Sequence, residues 1–133
     1  MLGAYPLYVD LPAEDLARAR AWYEAKLGLS PITELGPGLL YESGGVPFHL
    51  YETTAAGSAR NTAASWIVDD IGRVMAELRS RGVRFEDYAM GESGPTTVNG
   101  VVQHANGGAT AWFKDSEGNV LSLNELGPGI SLR

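Results

Sequence analysis

DLARARAWYEAKLG, residues 15–28, is the stretch from which the rest of the chain can be read. Leu16, Ala19, Tyr23 and Leu27 fall along one face and charged residues elsewhere, the spacing of an amphipathic helix. Asp15 stands where an N-cap accepts from the backbone, and Gly28 where a helix terminates. A second copy, DIGRVMAELRSRG at 70–82, puts Ile71, Val74 and Leu78 on the matching face, with Asp70 before it and Gly82 after it. Asp15 and Asp70 are 55 residues apart, as are Leu16 and Ile71, so the chain repeats itself.

Working outward, each helix follows a run of strand character, YPLYVDL at 5–11 and ASWIVD at 64–69. Each also precedes three more: PITEL, GLLYES and VPFHLYE, then VRFEDYA, ATAWFKD and NVLSLNE. The order strand, helix, three strands is stated twice. TTAAGSARNT at 53–62 is small and polar and reads as the linker, so one domain over 1–133 divides into a module at 1–52, a module at 63–126 and a tail at 127–133.

A chain of 133 residues can bury one sizeable core without covalent staples. With no cysteine there are no disulfides, thiolate metal sites or cysteine nucleophiles, in keeping with a reducing cytoplasm. A net charge of −6 with no basic cluster argues against a nucleic-acid partner. No apolar run reaches membrane-spanning length, and the start lacks the basic head and apolar stretch of a signal peptide. A cytoplasmic protein with no membrane partner is expected. The 17 glycines and seven prolines gather at LGPG, SGG, GESGP and NGG, punctuation between short strands rather than a disordered block.

LPAEDLARARAWYEAKLGL, WIVDDIGRVMAELRSRGV and AWFKDSEGNVLSLNE together resemble the vicinal oxygen chelate superfamily, which includes glyoxalase I, bleomycin-resistance proteins, extradiol dioxygenases and fosfomycin-resistance proteins. The resemblance covers nearly the whole chain, and its most specific piece is the third, a strand, a D-x-x-G-N turn and a closing strand. It implies an α+β fold of two βαβββ modules whose curled sheets make a cup, commonly completed by a second copy in a homodimer. The same scaffold carries lyases, isomerases, dioxygenases, transferases and plain binders, so the fold does not name the reaction.

In the metal-dependent members, the resemblance implies His, Glu or Gln ligands from the first and last strand of each module. Counted seven residues before each helix cap, those positions are Tyr8 and Ala63; the last strands offer His49 and Ser122. A two-residue slip adds Asp10 as the one further ordinary ligand, while a one-residue slip lands on Phe48, Leu50, Leu121 and Leu123, which are core. A divalent site needs three or more converging donors, so no metal and no other cofactor is expected. Glu52 and Glu125, at strand ends, read as solvated rim charges.

Tyr8, Asp10, His49, Tyr51, Ser65, Ser122 and Asn124 would make a hydrogen-bonding cavity floor, and Trp112 an aromatic wall, which suits an organic ligand with oxygens and rings. Trp66 could add wall, Trp22 reads as core, and His104 in GVVQHANGG lies on a Gly-rich approach to the seventh strand. Three functions follow. The first is a metal-free binder sequestering an aromatic or oxygen-rich metabolite or antibiotic. The second is a metal-free lyase, isomerase or cyclase with His49 as general acid or base and Tyr8 or Tyr51 steadying an oxyanion. The third, ranked last, is a metal-dependent lyase or dioxygenase. A carboxylate oriented against His49 would favour the second, and Asp10 is the candidate.

Overall fold

The computed structural model describes residues 1–130 and divides into two compact units. Residues 131–133, the end of the expected tail, lie outside the described residues. The first unit is Met1–Arg60 with Asp115–Asn119, and the second is Asn61–Lys114 with the chain from Val120.

In the first unit β1 (Val9–Ala13), β2 (Thr33–Leu35), β3 (Gly38–Ser43) and β4 (Val46–Glu52) form one sheet in the order β1-β4-β3-β2. β1 runs parallel to β4 and the other pairs are antiparallel. Helix α1 (Leu16–Trp22) starts at Asp15, whose carboxylate accepts from the Arg18 N–H at 3.0 Å. It runs into a π-helical turn, Tyr23–Leu27, which stops at Gly28 because φ of 68° is left-handed and suits glycine. Tyr23 lies on Tyr41 and Phe48, at ring separations of 5.9 and 6.1 Å, and those two stack at 4.9 Å. With Leu11, Ala13, Ala19, Leu39 and Leu50 they make the buried core of this unit. Each such aromatic or leucine contributes about 1.5–3 kcal/mol by leaving water. Trp22, expected in the core, is half-buried with its edge toward Tyr23.

The second unit repeats the arrangement: β5 (Thr62–Ile67), β6 (Val102–Gln103), β7 (Ala109–Lys114) and β8 (Val120–Glu125) in the order β5-β8-β7-β6. Helix α2 (Ile71–Ser80) packs on β7 and β8, burying Ile71 and Met75 with Val83, Ala111, Phe113, Leu121 and Leu123. Asp70 caps it through the Arg73 N–H at 3.0 Å. Glu125 accepts the Ile71 N–H at 2.9 Å, so it is a helix cap and not a solvated rim charge; Glu52 is exposed.

Two expected strands are displaced. The run 5–11 enters the sheet only at Val9, because the pairing before Val9↔Phe48 would set Tyr8 opposite Pro47, which has no N–H to give. The run 83–89 makes only single bridges, Phe85↔Phe113 and Ala89↔Thr96. Asn99 and Gly100, at φ 53° and 81°, turn the chain back between Val98 and Val101, and Thr97 bonds Tyr88 on both sides. The backbone of 88 is thus used within this loop, and Val102–Gln103 takes the edge of the sheet instead.

The D-x-x-G-N turn, Asp115–Asn119, belongs to the first unit. Asp115 is buried and each carboxylate oxygen takes two donors: Oδ1 the Glu117 and Asn119 N–H groups, both at 2.9 Å, and Oδ2 the Tyr23 hydroxyl at 2.6 Å and Asn119 Nδ2 at 2.8 Å. Asn119 Nδ2 also donates to the Pro12 carbonyl at 2.9 Å. Glu117 receives Arg18 Nε at 2.9 Å and Nη2 at 3.0 Å, and the Asp15 N–H at 2.9 Å. These residue types are therefore set by donors on α1, its cap and the helical turn, by the Pro12 carbonyl of β1 as an acceptor, and by the turn itself.

Candidate functional site

Strand alternation puts Leu11, Phe48 and Leu50 on the helix side of the first sheet and Asp10, His49 and Tyr51 on the other. The register Asp10↔His49 brings the two side chains together, with His49 Nδ1 2.9 Å from Asp10 Oδ1. His49 Nε2 lies 2.8 Å from the Leu35 carbonyl oxygen. A carboxylate and a carbonyl only accept, so both contacts are made together by a ring with hydrogen on each nitrogen. The ring is buried, whereas the Asp10 side chain is 55% exposed. Tyr8 meets the ring edge-on at 6.1 Å and Tyr51 stacks on it at 6.2 Å. Gly38 makes room for this packing: a Cβ there would lie 2.8 Å from His49 Nε2 and 1.9 Å from the Leu50 carbonyl.

The first unit thus assembles Tyr8, Asp10, His49 and Tyr51 around one imidazole. Tyr8 does so from outside the strand. Its expected place as the β1 partner of His49 falls to Asp10, since the seven-residue count back from the cap overshoots the paired position by two. Both ring nitrogens of His49, expected on the cavity floor, are engaged by the chain itself.

In the second unit the corresponding strand pair is Ser65↔Ser122, not Ala63 and Ser122. Ser65 is 55 residues beyond Asp10 and also faces away from the helix side. The two hydroxyl oxygens are 2.6 Å apart. Asn124 Nδ2 donates to Ser122 Oγ at 3.1 Å, the Thr110 hydroxyl donates to Asn124 Oδ1 at 2.7 Å, and His104 Nε2 meets Thr110 Oγ1 at 2.8 Å. Ser122 and Thr110 are buried; Ser65 and His104, at the two ends, are exposed. Trp112 is the strand partner of Ser122, is half-buried, donates its indole N–H to Thr62 Oγ1 at 3.1 Å and meets the edge of Tyr88.

Thr110 was missed from the sequence, although it shares the two-residue period of Trp112 on the same strand. Leu35 and Gly38 act through backbone and absence of side chain, for which residue type carries no signal. His104, in the loop after β6, is tied to the sheet through Thr110.

Two of the four strand-pair positions carry serine hydroxyls bonded to each other, and among the described residues no three His, Cys, Asp or Glu side chains gather to hold an ion. No helix among the described residues is long and apolar enough to cross a membrane.

The chain belongs to the Glyoxalase/Bleomycin resistance protein/Dioxygenase superfamily, whose sequence model matches residues 6–123. Among solved structures, a bleomycin-binding protein complexed with bleomycin aligns with a TM-score of 0.69 and 18% identity, over 92% of this chain and 98% of the other. TnmS3, an antibiotic binding protein from Streptomyces sp. CB03234, aligns at 0.63 and 22%, over 91% and 94%. Lactoylglutathione lyase from Agrobacterium tumefaciens aligns at 0.67 and 17%, over 92% and 93%. At these identities the likeness is one of fold. No curated protein matches the chain.

Proposed function

We propose that this chain binds a small organic molecule, aromatic or oxygen-rich, without a resident divalent metal. The observation that carries the reading is the Ser65–Ser122 pair, which puts two mutually bonded hydroxyls where the metal-dependent members would need imidazole, carboxylate or amide. Hydroxyls and an amide beside Trp112 suit an organic ligand that is recognised by a few hydrogen bonds and ring contact. Relatives of the same fold that bind antibiotics, the bleomycin-binding protein and TnmS3, support this class of ligand.

A homodimer is part of the proposal. Leu2, Tyr5 and Leu7 are 74%, 65% and 85% exposed, an apolar stretch that a second copy would cover. Native mass spectrometry of protein purified from its own host tests the whole reading at once. The expected spectrum is a dimer carrying a small organic molecule and no stoichiometric metal. One equivalent of zinc, iron, manganese or nickel per chain, lost on His49→Ala, would replace this reading with a metal-dependent enzyme.

A second reading has its own observation. Asp10 lies against His49 Nδ1, the arrangement that orients an imidazole for general acid–base work. Such chemistry requires Nε2 to leave the Leu35 carbonyl when substrate arrives.

A further inference from the structure

The side chains on the polar face of the second sheet form one connected line, His104, Thr110, Asn124, Ser122, Ser65, and each hydroxyl in it has a single hydrogen to give. Thr110 spends its hydrogen on Asn124 Oδ1, so His104 Nε2 must be the donor to Thr110. At the other end Ser122 Oγ accepts from Asn124 Nδ2, and Ser122 is almost wholly buried. Its own hydrogen has the Ser65 oxygen, at 2.6 Å, to go to, and leaving it unspent would strand a buried donor. Ser65 therefore accepts from Ser122, and its remaining hydrogen points outward from an exposed side chain.

We infer that Ser65 is a specificity-determining donor, oriented by this line, and that the ligand presents an acceptor oxygen, a ketone, quinone or ester carbonyl, beside an aromatic ring. The inference rests on the small-molecule reading and narrows it. A ligand whose only polar group at that point is a donor would leave the Ser65 hydrogen without a partner and could use only the second lone pair of its oxygen. The direction belongs to the line as a whole and not to Ser65, because a serine on its own both donates and accepts.

The test uses two neutral probes of nearly equal shape, acetophenone and ethylbenzene, which differ in a carbonyl against a methylene. Binding to the full chain is followed through the Ser65 amide and Trp112 indole signals by NMR. Acetophenone should bind about ten-fold more tightly, the worth of one hydrogen bond, and Ser65→Ala should remove that preference while leaving ethylbenzene affinity unchanged. Asn124→Asp reverses the line with Ser65 intact. A carboxylate gives Ser122 no hydrogen and accepts the hydrogen bond that Ser122 donates, so Ser65 must donate inward and the ketone preference should vanish there too. Retained dispersion of the amide spectrum shows that each variant is folded. Equal binding of both probes to the unaltered chain would mean that the line runs the other way, with the Asn124 amide turned over; it would overturn the donor role and leave the small-molecule reading standing. A ketone preference that survives Asn124→Asp would overturn the orienting role of the line. Absence of binding by both probes, alongside a host-purified protein that carries no organic molecule, would remove the small-molecule reading and the inference with it.

Discussion

Tyr23 donates its hydroxyl hydrogen to Asp115 Oδ2 at 2.6 Å, joining a residue of the helical turn to a carboxylate 92 positions along the chain. Burial first, and then the charge of Asp115, push the Tyr23 hydroxyl well above its ordinary value of 10.0, so it stays a donor throughout the accessible pH range. Tyr23→Phe removes one of the donors to a buried carboxylate. It should lower unfolding free energy by about 1.5–3 kcal/mol, read from urea denaturation. An unchanged midpoint would show that Asp115 finds a replacement.

Tyr41→Phe is the same substitution with the opposite expectation. Tyr41 is fully buried, and its hydroxyl, alone among the buried side-chain N and O atoms of the described residues, has no hydrogen-bond partner. Taking that hydroxyl out of water has been a cost with no bond in return, while the ring stacked on Phe48 would be kept. Stability should be unchanged or rise by about 1 kcal/mol. A loss approaching that of Tyr23→Phe would mean that the Tyr41 hydroxyl has a partner in solution.

Glu117 should make the protein acid-sensitive. Burial alone would raise its carboxyl, but the Arg18 guanidinium, the Asp15 N–H and the Ser116 hydroxyl more than offset this and bring it from 4.5 to about 2. The folded form thus holds its proton less tightly than the unfolded chain. The resulting stabilisation is fully present above about pH 5 and is lost as pH falls toward 2, on the order of 3 kcal/mol in all. Melting temperature against pH should fall across that window, and Glu117→Gln should flatten the fall while lowering stability at neutral pH. A wild-type profile parallel to that of the variant would contradict this.

The Asp10–His49 contact separates the two functional readings. Asp10 is largely exposed, so Asp10→Asn should leave the fold intact. With whatever molecule the host-purified protein retains, a binder should lose no more than about ten-fold in affinity. An acid–base enzyme should instead lose about a hundred-fold or more in kcat with KM little changed. His49→Ala is the less discriminating variant, because removing the ring also releases the Leu35 carbonyl and opens a hole against Gly38. It should destabilise by about 1–3 kcal/mol whichever reading holds.

Much of this molecule was legible without coordinates because its cues are local. Asp15 and Asp70 cap their helices as their positions imply, since a cap needs only a carboxylate three residues before an amide. GLLYES and VPFHLYE form β3 and β4 over the residues read from them, because alternation and turn glycines belong to the strand itself. The 55-residue repeat then carried the two-fold βαβββ order, and the same alternation placed Asp10, His49 and Tyr51 on one face of their sheet and Ser65, Ser122 and Asn124 on one face of theirs.

Tertiary structure alone decided which of those side chains meet. Parity says that Tyr8 and Asp10 share a face but not which one stands beside His49; that is the register of two strands 39 residues apart, and here Pro47 ends the pairing before Tyr8 can join it. A strand-like composition at 83–89 could not reveal that Thr97 and the Asn99–Gly100 turn would take up its backbone. Nor could the D-x-x-G-N turn, recognisable as a turn, show that Asp115 and Glu117 face Tyr23 and Arg18. Local sequence encodes the period and the caps because their partners lie within a few residues. Contacts such as these depend on the path of the whole chain, and so appear only once it has folded.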